Sequence, residues 1–99
     1  MLEEIKKLQG ITNSDFDKII ENFVESCKDD LLAVGIAKKK VNNSESDSLI
    51  HTAILTYVLS FLDVVNSEMY ANSYFLQKDM LRRLSEYKNE WWNIQKLFI

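Results

Sequence analysis

The sequence predicts an all-α fold, a compact bundle of about four helices with a long loop between the second and third helices. No proline occurs in the 99 residues, and only Gly10 and Gly35 stand as breakers. Leu, Ile, Lys and Glu, which keep most of their rotamer freedom in a helix, are abundant. The apolar residues recur in steps of three and four, the period of one helix face.

The opening segment places Leu2, Ile5 and Leu8 three apart and then meets Gly10, so a first helix is predicted over about 2–9. Ser14 can cap the amides of the next helix, with Asp15 and Asp17 at the positive end of its dipole. From there Phe16, Ile19, Ile20, Phe23, Val24, Cys27, Leu31 and Val34 advance in helical steps, giving a second helix over about 14–34 closed by Gly35. Residues 36–48 lose the period and gather Asn, Ser and charge, the composition of an exposed loop. Ser46, with Asp47 after it, offers a cap for a third helix over about 47–65. Its pairs Leu49/Ile50, Ala53/Ile54, Tyr57/Val58 and Phe61/Leu62 are widened by Leu55 and Leu59, so it is apolar around most of its girth and is expected at the centre. A fourth helix over about 71–89 sets Tyr74, Phe75, Leu81, Leu84 and Tyr87 inward and Lys78, Arg82, Arg83 and Lys88 outward. The tail after it is rich in apolar residues, and the whole chain reads as a single domain.

A domain of this size buries roughly 60 to 65% of its unfolded surface, enough for one core but too little for a core and a deep substrate cavity. The net charge of −3 gives none of the positive field of a free-standing DNA binder. One cysteine and no basic-then-apolar opening favour a reducing, cytoplasmic setting. The stretch from Leu49 to Val65 is too short and too polar for a bilayer span, so no membrane is expected. Charge is uneven: residues 1–35 carry four Lys against eight acids, net −4, and residues 71–99 carry five Lys and Arg against three acids, net +2. Such asymmetry either orients copies head to tail or simply solvates outward helix faces.

Catalytic chemistry is not visible. His51 has no His, Cys or acid at i+3 or i+4 to complete a metal pair and reads as a boundary residue. Cys27 lies on the apolar stripe of the second helix, where Glu25, Asp29 and Asp30 oppose a thiolate, so it reads as a small buried hydrophobe. Two isolated glycines cannot build a phosphate cradle. No catalytic residue, cofactor or metal is assigned, and an enzyme is not expected. Two features remain as partner contacts. Lys38, Lys39 and Lys40 place three cations in a mobile loop, either a contact surface or an ordinary soluble loop. Trp91 and Trp92, with Ile94, Leu97, Phe98 and Ile99, either pack back on their own domain or dock into a neighbour.

The acidic opening, the run Ile11-Thr-Asn-Ser-Asp-Phe-Asp17, and above all Asp47-Ser-Leu-Ile-His-Thr-Ala-Ile-Leu-Thr-Tyr-Val58 resemble the head-tail connector proteins of long-tailed bacteriophages and prophages, also labelled DNA-packaging or head-completion proteins. Asp47, Leu49, Ile50, Ala53, Ile54, Tyr57 and Val58 fit the family's central run, and the likeness covers about residues 1–88. Leu62-Asp-Val-Val-Asn66 departs from the Gly, Asn or Pro common after that helix, and the tail finds no counterpart. The resemblance implies a non-enzymatic subunit of a ring of about a dozen copies, assembled in the host cytoplasm and placed at the head-tail interface of the virion. It would dock under the portal, extend the DNA channel with DNA only as passing cargo, and receive a stopper or tail protein. A monomer before assembly is compatible with it. A ring needs two complementary faces, and the acidic second helix against Arg82, Arg83 or Lys88 supplies a pair, leaving Lys38–Lys40 or Trp91, Trp92 and Phe98 for portal or tail proteins. The alternative is a small helical regulator that binds a protein partner or DNA.

Overall fold

The backbone amides of Leu49 and Ile50 both donate to Oδ1 of Asp47, at 3.1 and 3.2 Å, and this cap starts the helix on which the others pack. The computed structural model describes residues 1–88. In chain order they form α1 (Leu2–Gln9), α2 (Asp17–Ala33), α3 (Lys38–Asn42), α4 (Ser48–Leu62), α5 (Ser67–Arg83) and a 3-10 turn at Ser85–Tyr87. The fold class is all-α; among the described residues the β pairing is one isolated bridge, Ile36 to Lys88.

α4 is central, as its girth of apolar residues predicts: Ile50, Ala53, Ile54, Val58 and Leu59 are buried against neighbours on several sides. The hydroxyl of Thr56, also buried, donates to the Thr52 carbonyl at 2.7 Å and accepts from Gln77 of α5, so no polar atom of this side chain is stranded. α5 runs antiparallel to α4, with Tyr74 edge-on to Tyr57 and Tyr87 reaching back to Asp47. α2 lies across both. Phe23 stacks on Phe61 at 4.6 Å, and Asp30 accepts from the Tyr74 hydroxyl at 2.6 Å and from Lys78 at 2.9 Å. Hence α2 and α5 point the same way, and α4 points opposite to both. α1 closes one side through Ile5, which is fully buried, and through Lys6–Asp17 and Glu4–His51 pairs of 2.8 and 2.7 Å. Gly10 ends it at φ 67°, a left-handed position that a side chain would strain.

Several boundaries differ from the spacing argument, each for a local reason. α2 begins at Asp17 rather than near residue 14, because the Asn13 carboxamide accepts the Asp15 amide and curls that segment into a turn. Phe16, now before the helix, and Ile19, in its first turn on the flank of the stripe, stand about half exposed instead of joining the core. The cap of α4 is Asp47, not Ser46. The long connection 36–48 is not all loop: Val41, completely buried, anchors the short α3 inside it. α5 starts at Ser67, earlier than the spacing indicates, because the Asp63 carboxylate binds the amide and carboxamide of Asn66 and turns the chain at once. It stops at Arg83, and Leu84 leaves in an extended conformation that carries Tyr87 inward.

Truncating the central core residue Ile54 to Ala is expected to cost about 2 to 5 kcal/mol in urea unfolding, with an unchanged slope. Asp47→Ala removes a cap and the half-buried acceptor of the Tyr87 hydroxyl together and is expected to cost more than the ~1 kcal/mol of an ordinary cap.

Candidate functional site

The end of the molecule where α2 and α5 finish gathers half of the chain's Lys and Arg residues. Gly35, at φ 94°, turns the chain out of α2. Ile36 then bridges to Lys88, and the Ala37 amide donates to the Tyr87 carbonyl at 2.7 Å. The Tyr87 hydroxyl donates to Asp47 at 3.0 Å, and Lys40 lies over its ring with Nζ 5.0 Å from the centroid. Through this one buried tyrosine, the segments bearing Lys38–Lys40 and Lys88 become neighbours. Arg82 and Arg83 complete the cluster from the last turn of α5, where cations suit the negative end of the dipole. Both bind one carboxylate, Asp79, at 2.6 and 3.1 Å. Val34, Arg82, Arg83 and Lys88 line an open cleft of about 260 Å³.

The sequence-predicted contact residues thus fall into two groups. Lys38, Lys39, Lys40, Arg82, Arg83 and Lys88, which sequence spacing left as two separate sets, converge here. The three lysines open a helix rather than sit in a mobile loop, and only Lys38 and Lys39 are exposed, since Lys40 is held on Tyr87. Their position is electrostatically unfavourable, because cations oppose the positive start of a helix. Trp91, Trp92 and Phe98 lie outside the described residues.

A second surface went unrecognised in the sequence. Phe75, placed inward by the spacing, is 64% exposed, and Leu76 is 67% exposed. Met69, Leu76 and Met80 follow one another at seven and four residues along the outward face of α5, opposite the buried Tyr74 and Leu81. Val64 and Val65, at 84% and 92% exposure, continue this apolar surface into the α4–α5 turn. The signal was present as a second stripe, offset from the first.

The one cysteine is held as a neutral thiol. Burial pushes the Cys27 thiol up to about 12, against a weaker pull from its bond to the Tyr74 hydroxyl, so it stays protonated at neutral pH. Burial likewise raises Tyr74, as does its bond to Asp30. Burial alone would raise Asp30, but bonds from Tyr74 and Lys78 outweigh it and leave the carboxyl below its ordinary value. Together Cys27, Tyr74, Asp30 and Lys78 form a polar clamp between α2 and α5. Among the described residues, no group of three His, Cys, Asp or Glu side chains is placed to hold a metal ion, and no helix is long and apolar enough to cross a membrane.

The central run opened by Asp47 now stands at the start of α4, the helix at the centre of the fold. A family model described as phage connector protein matches residues 1–92. The chain belongs to the phage connector protein family. No curated protein and no solved structure matches it. As a family member it is a structural protein of the bacteriophage virion, of the kind that connects head and tail, and it works by contact with other head and tail proteins. The family match runs through Trp91 and Trp92 and stops before Phe98.

Cys27 is expected to resist a thiol reagent at pH 8 in the folded connector and to react at once in denaturant, so fast labelling of the folded chain contradicts its placement. A carboxyl whose folded pKa lies below its unfolded value adds stability above the unfolded value and loses it as pH falls through the folded one. For Asp30 that window opens near pH 4 and extends below it. Asp30→Asn is expected to lower stability at pH 7 and to make the acid-side loss shallower, as followed by urea midpoints from pH 6 to pH 2.

Proposed function

We propose that this connector protein is a subunit of an oligomeric ring that docks beneath the portal, extends the DNA channel and receives the next connector or tail component. The observation that supports this reading is the segregation of surfaces over the described residues. One end is cationic, at Lys38, Lys39, Arg82, Arg83 and Lys88. The first 35 residues carry net −4. An apolar surface runs from Val64 along α5. A heterologous interface, with one face of each copy meeting a different face of the next, closes into a ring and needs this kind of asymmetry. The cationic end then serves either the neighbouring subunit or the portal, with Trp91, Trp92 and Phe98 as further docking residues. A net charge of −3 suits a ring through which DNA must pass without being held.

Co-purification with the portal ring of the same genome, followed by native mass measurement, tests this. About one connector chain per portal subunit is the expected result. A folded chain that ignores its portal at high concentration contradicts it and favours a small helical regulator of a protein or DNA. A gel shift that weakens steeply with salt identifies the DNA case. Reversing charge at Arg82 and Arg83 is expected to abolish the portal complex while the circular dichroism of the helices is retained.

A further inference from the structure

We infer that the outward face of α5 receives the acidic face of α2 from a second copy of this chain, the two helices running in the same direction. This rests on the ring reading above and assigns its subunit contact. Along α5 the outward stripe is apolar at Met69, Leu76 and Met80 and ends at Arg83, with Arg82 beside it. These apolar residues remain 44 to 67% exposed, whereas the opposite stripe of the same helix is buried in the core. At the cationic end, Arg82 and Arg83 share one carboxylate, Asp79, so the pair retains an excess positive charge.

The complementary surface is on the same molecule. Glu21, Glu25 and Asp29 follow one another every four residues along α2 and are exposed. Only Glu25 has an ion-pair partner among them, Lys28 of its own helix at 3.5 Å. The last turn of α2 contains no basic residue, so the negative end of its dipole adds to the Asp29 carboxylate.

Direction decides between the two ways of laying one helix on the other. α2 and α5 each have 17 residues, about 25 Å. They run in the same direction within one subunit, and the inferred contact places the ring axis along them, so that rotation keeps that direction in every copy. Neighbouring α2 and α5 therefore meet C-terminus beside C-terminus, which sets Glu25 and Asp29 against Arg82 and Arg83. The reverse orientation sets the acidic row against Val64, Val65 and Met69, where no cation answers it. Charge thus fixes register and encounter, and the apolar stripe supplies contact area.

Disulfide trapping tests the contact on the full chain. Equal amounts of Asp29→Cys and Arg83→Cys proteins, distinguishable by mass, are mixed and oxidised mildly, with Cys27 left in place because it is buried. A mixed dimer several-fold above the two like dimers, reduced at high salt, is expected. A mixed dimer at only its statistical share overturns the inference, as does a predominance of Arg83–Arg83 like dimers, which would mark a symmetric α5 contact. A chain whose own C-terminal segment covers α5 gives the statistical result and overturns it too. A parallel mixture of wild-type chain and portal separates the two levels. A portal complex without selective trapping leaves the ring reading intact and removes this contact. Selective trapping without a portal complex does the reverse.

Discussion

Tyr87 fastens three segments that are distant in sequence, and the cationic end depends on it. Its carbonyl accepts the Ala37 amide, its hydroxyl donates to Asp47, and its ring carries Lys40. Asp47 is at the same time the cap of α4, so the start of the central helix and the closure of the chain share one carboxylate. Burial raises the Tyr87 hydroxyl above its usual pKa, and the bond to Asp47 adds to this, keeping it a donor through the physiological range. Without this latch, Lys38–Lys40 and Lys88 would belong to two unrelated loops. With it they share one end of the molecule with Arg82 and Arg83.

The polar clamp of Cys27, Tyr74, Asp30 and Lys78 is a second cross-tie, separate from the latch. It ties α2 to α5 across the core and fixes their common direction. On the proposed ring reading, different surfaces meet different neighbours, and the polar cross-ties hold α2 and α5 in one arrangement between them. Apolar area left uncovered along α5 has a cost in solubility that a monomer with no partner would not carry. Its persistence beside a charged rim matches the anatomy of a protein interface, with an apolar centre and a polar edge.

The fold was legible where the apolar period is regular. α1 follows its spacing, and α4 is central as its apolar girth predicts but ends at Leu62 rather than near residue 65, because Asp63 leaves in an extended conformation. The all-α class follows from the missing proline and the helical period. The structure departs from the spacing where short-range side-chain bonds decide. Asn13 curls the entry to α2, Asp63 turns the chain directly into α5, and buried Val41 builds α3 inside a stretch whose composition is that of a loop. The site was half legible. Its cations were visible as residues, but their convergence depends on a long-range backbone pairing, Ile36 with Lys88, that periodicity does not encode. The outward stripe of α5 escaped because Phe75 was assigned to the core, and two apolar stripes on one helix cannot both face inward. Family membership came through the central run from Asp47 to Val58, a core pattern, and so the resemblance identifies the kind of protein better than it locates the contacts.

The most direct measurement of the central claim is a density map of this connector bound to its portal ring, at a resolution that traces helices. The account requires a closed ring in which α5 of each copy lies along α2 of the next in the same direction, with Arg82 and Arg83 beside Asp29. A ring whose subunits meet through other faces, with the outward face of α5 bare, would contradict it.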